Sequence, residues 1–96
     1  MLTGKQRSYL RGLANIIPPI FQIGKGGVNE NIIKQFNDGL EARELIKATV
    51  LKNSSTDVGE ICEEIASTTG ASVVQIIGSK FVLYKESVKN KVIELP

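Results

Sequence analysis

Apolar residues recur along this chain with two periods, and the changes of period mark its elements. Tyr9, Leu10, Leu13, Ala14 and Ile17 follow at helical spacing, and Thr3 with Gln6 forms a capping box, so residues 4–16 are predicted to be an amphipathic helix. Pro18-Pro19 ends it and forces extended backbone. Ile20 to Ile23 then reads as a short strand, and Asn29 as the N-cap of a second helix whose buried stripe is Ile32, Ile33, Phe36 and Leu40, weakened mildly by Gly39. Residues 44–51 are rich in branched side chains and read as a strand, and Asn53-Ser54-Ser55-Thr56 as a loop. Asp57 to Thr68 is a third predicted helix, with Val58, Ile61, Cys62, Ile65 and Ala66 inward and Glu60, Glu63 and Glu64 outward, stopped by Gly70. Ala71–Ile77 and Lys80–Lys85 are apolar strands joined by Gly78-Ser79, a pair that suits a type II′ hairpin.

The order is therefore α-β-α-β-α-β-β. The expected fold is α/β, a mixed four-stranded sheet with three helices, in which each strand-helix-strand unit is a right-handed crossover between parallel strands. Residues 1–96 form a single domain, with a core over about 1–86 and a lysine-rich extension at 87–96 whose structure the pattern does not settle.

Composition narrows the chemistry. With 42% hydrophobic and 23% charged residues, the 96-residue chain is an ordinary globular domain. It has no histidine and a single cysteine, which removes His-based catalysis, an internal disulfide and cysteine-histidine metal clusters. Cys62, on an apolar helix stripe with no histidine to activate it, reads as a buried small hydrophobe. No apolar run approaches the ~18 residues of a membrane span, and no apolar signal segment follows Lys5 and Arg7. The expectation is a cytoplasmic monomer that is not an enzyme and carries no cofactor or metal.

Net charge is +2, but its distribution is uneven. Residues 1–27 hold Lys5, Arg7, Arg11 and Lys25 and no acid; residues 28–79 hold four bases and eight acids; residues 80–96 hold four lysines and two acids. Either these charges are scattered and solubilising, or they fold into one positive and one negative face, of which the positive would attract polyanions.

The candidate chemistry lies at Gly24-Lys25-Gly26-Gly27, between the first strand and the second helix. Glycines there allow unusual backbone angles and let a ligand approach the main chain, and the following helix directs N–H groups and its positive dipole end at the same space. A phosphate suits such a place. The loop lacks the Gly-Lys-Ser/Thr of a P-loop, and position 29 is Asn where a dinucleotide fingerprint needs glycine. It does fit Gly-x-x-Gly, the loop that clamps nucleic-acid backbone in KH domains. Glycine at such a position can also be turn geometry alone. Arg7 and Arg11, one turn apart, add to Lys25. Lys80 and Lys85 are either ordinary edge charges or an extension of a basic face. No aromatic pair of the base-stacking kind is present, so backbone or shape recognition is expected.

Several blocks of residues together resemble the CRM domain (chloroplast RNA splicing and ribosome maturation). They are Leu2-Thr3-Gly4-Lys5-Gln6-Arg7, Leu10-Arg11-Gly12-Leu13-Ala14, Ile23-Gly24-Lys25-Gly26-Gly27, Glu44-Leu45-Ile46-Lys47, Val74-Gln75-Ile76-Ile77-Gly78 and Val82-Leu83-Tyr84-Lys85. The most similar form is the stand-alone bacterial YhbY-like protein, and the resemblance spans roughly residues 1–86. It implies a fold similar to the C-terminal domain of translation initiation factor 3 and RNA binding through the Gly-x-x-Gly loop. It also implies association with precursors of the large ribosomal subunit, as in bacterial members, and ribosomal RNA as partner, with neither DNA nor membrane. Carried over residue by residue, Gly24, Lys25, Gly26 and Gly27 are the loop, and Arg7, Arg11, Lys47, Lys80 and Lys85 are basic contacts. The chain departs from the family at Asn15, where members often have His, and at Ile17-Pro18, where they often have Lys-Pro, so it is less basic there. Two other readings stand beside RNA binding: a protein-interaction module that uses the acidic helix at Glu60, Glu63 and Glu64, and an enzyme on a small phosphorylated metabolite.

Overall fold

The computed structural model describes residues 2–52 and 57–96, so the loop expected at 53–56 lies outside the described residues. The elements are α1 (Gly4–Ala14), β1 (Phe21–Ile23), α2 (Glu30–Arg43), β2 (Leu45–Val50), α3 (Val58–Thr69), β3 (Ser72–Ile77) and β4 (Lys80–Tyr84), in the order the hydrophobic pattern predicts. The capping box of α1 is reciprocal: Gln6 N donates to Thr3 Oγ1 and Thr3 N to Gln6 Oε1, both at 3.1 Å. This helix ends two residues earlier than predicted. The N–H groups of Asn15, Ile16 and Ile17 donate to carbonyls three residues back, each at 3.3 Å, which tightens the last turn ahead of Pro18. Tyr9, expected inward, is 43% exposed.

Strand order is β1-β2-β4-β3. β1 and β2 are parallel, and β4 is antiparallel to both of its neighbours. β2 and β3 therefore run parallel, as a strand-helix-strand crossover requires, but β4 is inserted between them. The tight hairpin explains this: Gly78 has φ +58 while Ser79 does not turn positive, the type II′ pattern, and β4 folds back onto the inner edge of β3.

The sheet carries a layer on each face. Residues of α2 and α3 pack on Ile46, Ala48, Val50, Phe81 and Leu83, and Phe36 lies between Phe21 and Phe81, with ring centroids at 4.7 and 6.1 Å. Gly39 has a packing reason here. A Cβ on it would stand 2.8 Å from the Phe21 ring, so the helix interior gives up propensity to seat that ring. On the other face Leu10 and Ala14 of α1 cover Leu45, Val74, Val82 and Tyr84, joined by Ile93 and Leu95 from the C-terminal segment.

That segment has no regular secondary structure, yet it is docked. The turn from α2 into β2 is a single residue, Glu44, with φ +66 and a buried carboxylate. Its oxygens accept the N–H groups of Ser87 (2.8 Å), Val92 (2.7 Å) and Ile93 (2.7 Å). Glu41, one turn earlier, accepts the Ser87 hydroxyl and the N–H groups of Val88 (3.1 Å) and Lys89 (2.9 Å). Two carboxylates thus take over backbone donors that no helix or strand serves.

These bonds set an acid limit. Burial alone would raise the Glu44 carboxyl, but its three backbone donors outweigh burial and hold it below the ordinary range. The Ser87 hydroxyl, then the Lys89 and Val88 N–H groups, lower Glu41 to about 2. A carboxyl depressed in the folded state adds stability above its unfolded value, and loses it as pH falls through the folded one. We expect the C-terminal segment to loosen progressively between about pH 4.5 and pH 2. Thermal midpoints measured against pH would show a steeper acid loss in the full chain than in a chain ending at Glu86. Parallel curves would refute the assignment.

Candidate nucleic-acid interface

β1 leaves the sheet at Gly24, whose carbonyl accepts the N–H of Gly27 at 3.0 Å. Lys25 and Gly26 form the exposed corner of this turn, and Gly27 carries φ +63. Turn geometry therefore requires glycine at 27. It does not require it at 26, where φ is not positive and an added Cβ would meet nothing within 4 Å. Asn29 caps α2 by accepting the Ile32 N–H at 2.9 Å, and Glu30 places a carboxylate in the first turn. The positive helix end is thus partly answered by the chain itself, and an anion here would depend on the turn and its lysines more than on the dipole.

Two hydrogen bonds bring further segments to this end of the sheet. Leu51 N donates to Ile23 O at 2.8 Å, and Val50 N to Ser79 O at 2.7 Å. The glycine turn, the exit of β2 and the β3–β4 hairpin therefore converge, and with them Lys25, Lys52 and Lys80, all exposed. Lys52 was not among the residues singled out from the sequence. It follows β2 just before the polar run Asn53-Ser54-Ser55-Thr56 of the sequence, and only the pairing of β1 with β2 shows that it ends beside the glycines.

Lys47 stands on the sheet face that α1 covers in part, diagonal to Lys80 across the β2–β4 pair. Diagonal neighbours on one face lie about 7–8 Å apart. Both line a shallow cavity of about 170 Å³ with Asn15, Gln75, Ile77 and Val82.

Lys85 and Arg7 lie at the other end of the sheet. Lys85 Nζ donates to Thr69 O at 2.7 Å, satisfying the C-terminal turn of α3. It is five residues along β4 from Lys80, roughly 17 Å at the rise of an antiparallel strand. Lys89 and Lys91 follow it to that far end, held by the Glu41–Glu44 clamp, and Lys91 pairs with Glu86 at 3.1 Å. The lysines at 80–91 are thus divided between the two ends of the sheet. Arg7 lines a depression with Glu63 and Ser72, where β3 begins, opposite the hairpin. Arg11 is exposed one turn further along α1. Glu60, Glu63 and Glu64 lie exposed on α3, as expected. Cys62 is buried, and that burial, with the Glu63 charge, pushes its thiol up to about 12, which leaves no thiolate at neutral pH.

Together these features define a small α/β domain that presents a glycine turn and convergent lysines at one end of a mixed sheet. A family model described as the CRS1 / YhbY (CRM) domain matches residues 2–85, and the chain belongs to this family. It is 54% identical over 96 residues, spanning 100% of both chains, to "Probable RNA-binding protein YqeI" of Bacillus subtilis. It is 35% identical over 95 residues to an RNA-binding protein of Haemophilus influenzae, covering 99% of this chain and 95% of that one. The solution structure of hypothetical protein SAV1595 from Staphylococcus aureus superimposes with a TM-score of 0.82 at 59% identity over 100% of both chains. The expected fold is the one found. Neither the family nor these relatives bear the name of an enzyme. Among the described residues no helix is long and apolar enough to cross a membrane.

Proposed function

We propose that this protein binds RNA by its backbone at the glycine-turn end of the sheet, on precursors of the large ribosomal subunit during assembly. The observation that carries the reading is the convergence of an open glycine corner at Lys25-Gly26 with Lys52 and Lys80. An exposed glycine corner and lysines without base-reading aromatics suit a phosphate chain. The RNA-binding names of the relatives agree with this class of ligand. The footprint takes in Gly24, Lys25, Gly26, Gly27, Lys52 and Lys80, with Lys47 behind them. Arg7 and Lys85 stand outside it, and Lys85 has a partner in Thr69, whereas Arg11 lies one turn of α1 before Asn15, which lines the cavity with Lys47 and Lys80. The ribosomal part of the proposal, and a cytoplasmic location with it, rest on the resemblance to the stand-alone bacterial members of the family.

Sedimentation of native protein from lysate through a sucrose gradient tests that part. Co-migration with free large subunits or their precursors at low salt, lost at high salt, is the expected result, because phosphate contacts weaken steeply as salt rises. Protein that stays at the top of the gradient at low salt would remove the ribosome from the proposal.

A further inference from the structure

Helix α1 covers only half of its sheet face. It ends at Ala14, above Leu45, Val74, Val82 and Tyr84, so the rung of side chains at Val82 is covered only in part and the rung beyond it is left open. In one rung Gln22, Thr49, Lys80 and Ile77 stand side by side across all four strands; in the next, Lys47, Val82 and Gln75 do. Val82 is buried as the floor, Ile77 is 61% exposed, and Asn15 closes the side from the last turn of α1. Gln75 reaches this face because of an irregularity. The β3–β4 register shifts between Val73 and Gln75, so Val74 and Gln75 both face the α1 layer, and Ile77 after them. Strict alternation would have turned Gln75 and Ile77 to the α2–α3 side. A bulge that re-aims a side chain into a cleft is a recurrent device of binding sites.

We infer that this open half-face, the cavity of about 170 Å³ lined by Asn15, Lys47, Gln75, Ile77, Lys80 and Val82, holds one unstacked nucleobase of a bound RNA strand. The inference rests on the RNA-binding reading and extends it from backbone to base. Ile77 supplies an apolar surface for the base plane, above the buried Val82. The amides of Asn15 and Gln75 each offer a donor and an acceptor, enough to read a base edge. Lys47 and Lys80 complement the flanking phosphates. Lys80 belongs to the hairpin bonded to the end of β2, and β1, which carries the glycine turn, is two strand spacings away, about 10 Å. One strand of RNA can therefore engage both places.

The test measures affinities of short oligouridylate, oligocytidylate and oligoadenylate at one salt concentration, for the parent chain, the Asn15→Ala/Gln75→Ala double variant and Lys25→Ala. The parent should prefer one homopolymer by about tenfold, the scale of one good base contact. The double variant should lose that preference while it still binds, and Lys25→Ala should keep it at lower affinity throughout. Equal binding of all three by the parent, or an undiminished preference in the double variant, overturns the base pocket and leaves backbone binding standing. A parent chain that binds none of them overturns both. Side-chain amide resonances of Asn15 and Gln75 that shift in the parent on addition of the preferred oligomer would locate the contact directly; resonances that stay in place would count against it.

Discussion

Gly26→Asp is expected to weaken RNA binding by at least about tenfold and to leave folding stability within about 0.5 kcal/mol of the parent. The two halves of this expectation have separate causes. A Cβ at position 26 meets nothing within 4 Å, and the residue has no positive φ, so the chain itself can accept a side chain there. The ligand cannot accept this one: a carboxylate would stand beside Lys25 where a phosphate is proposed to lie, and like charges at close range cost several kcal/mol before screening. Two companions make the result interpretable. Gly26→Ala adds bulk without charge, so its effect on affinity measures how closely the ligand approaches the main chain. Lys25→Ala should weaken binding to all RNAs alike and reduce the log–log salt slope by about one. With Lys25, Lys47, Lys52 and Lys80 engaged, the parent slope on single-stranded RNA should be about −3. Filter binding or fluorescence anisotropy across a salt series reads all of these. A Gly26→Asp variant that binds as the parent does, with unchanged slope, would remove the turn from the interface.

The hydrophobic pattern made most of this fold legible, because most of it is local. Capping at Thr3 and Asn29, the stop at Gly70 and the two-residue hairpin at Gly78-Ser79 each depend on residues close in sequence. Strand order was not legible, since nothing near β4 announces that it inserts between β2 and β3. The site divided the same way. The Gly24–Gly27 turn stood out by its spacing, whereas the company it keeps is set by pairing: β1 with β2 brings Lys52, and the hairpin on β2 brings Lys80. Lys85 looked equivalent to Lys80 from the sequence, but the length of β4 and a bond to Thr69 O separate them. Gln75 reads as a strand residue of either face until the bulge is known. Gly12, inside α1, has neither a positive φ nor a close neighbour, and nothing in the structure explains it.

The segment after Lys85 was the least legible part, and it leads to the largest expected loss of stability. Its donors are backbone N–H groups, which no side-chain pattern reveals, and its acceptors lie more than forty residues earlier, at Glu41 and Glu44. Glu44→Ala should destabilise the protein by about 3 kcal/mol, because hydrogen bonds to a charged group are worth about 1.5–3 kcal/mol each and three donors lose their acceptor together. The loss is bounded, since the freed segment can detach and hydrate its own N–H groups. For a domain of this size that corresponds to a fall in thermal midpoint on the order of 15 °C. Glu44→Gly separates the carboxylate from the backbone. Glycine relieves the φ of +66 but restores no acceptor, so it should recover about 1 kcal/mol of the loss and no more. Truncation after Glu86 completes a cycle. In the shortened chain the Glu44 carboxylate has lost all three donors, so Glu44→Ala should cost far less there than in the full chain. Urea unfolding of the four proteins measures the coupling directly. An equal cost in both backgrounds would mean that Glu44 acts through the α2–β2 turn alone and that the C-terminal segment is not clamped by it.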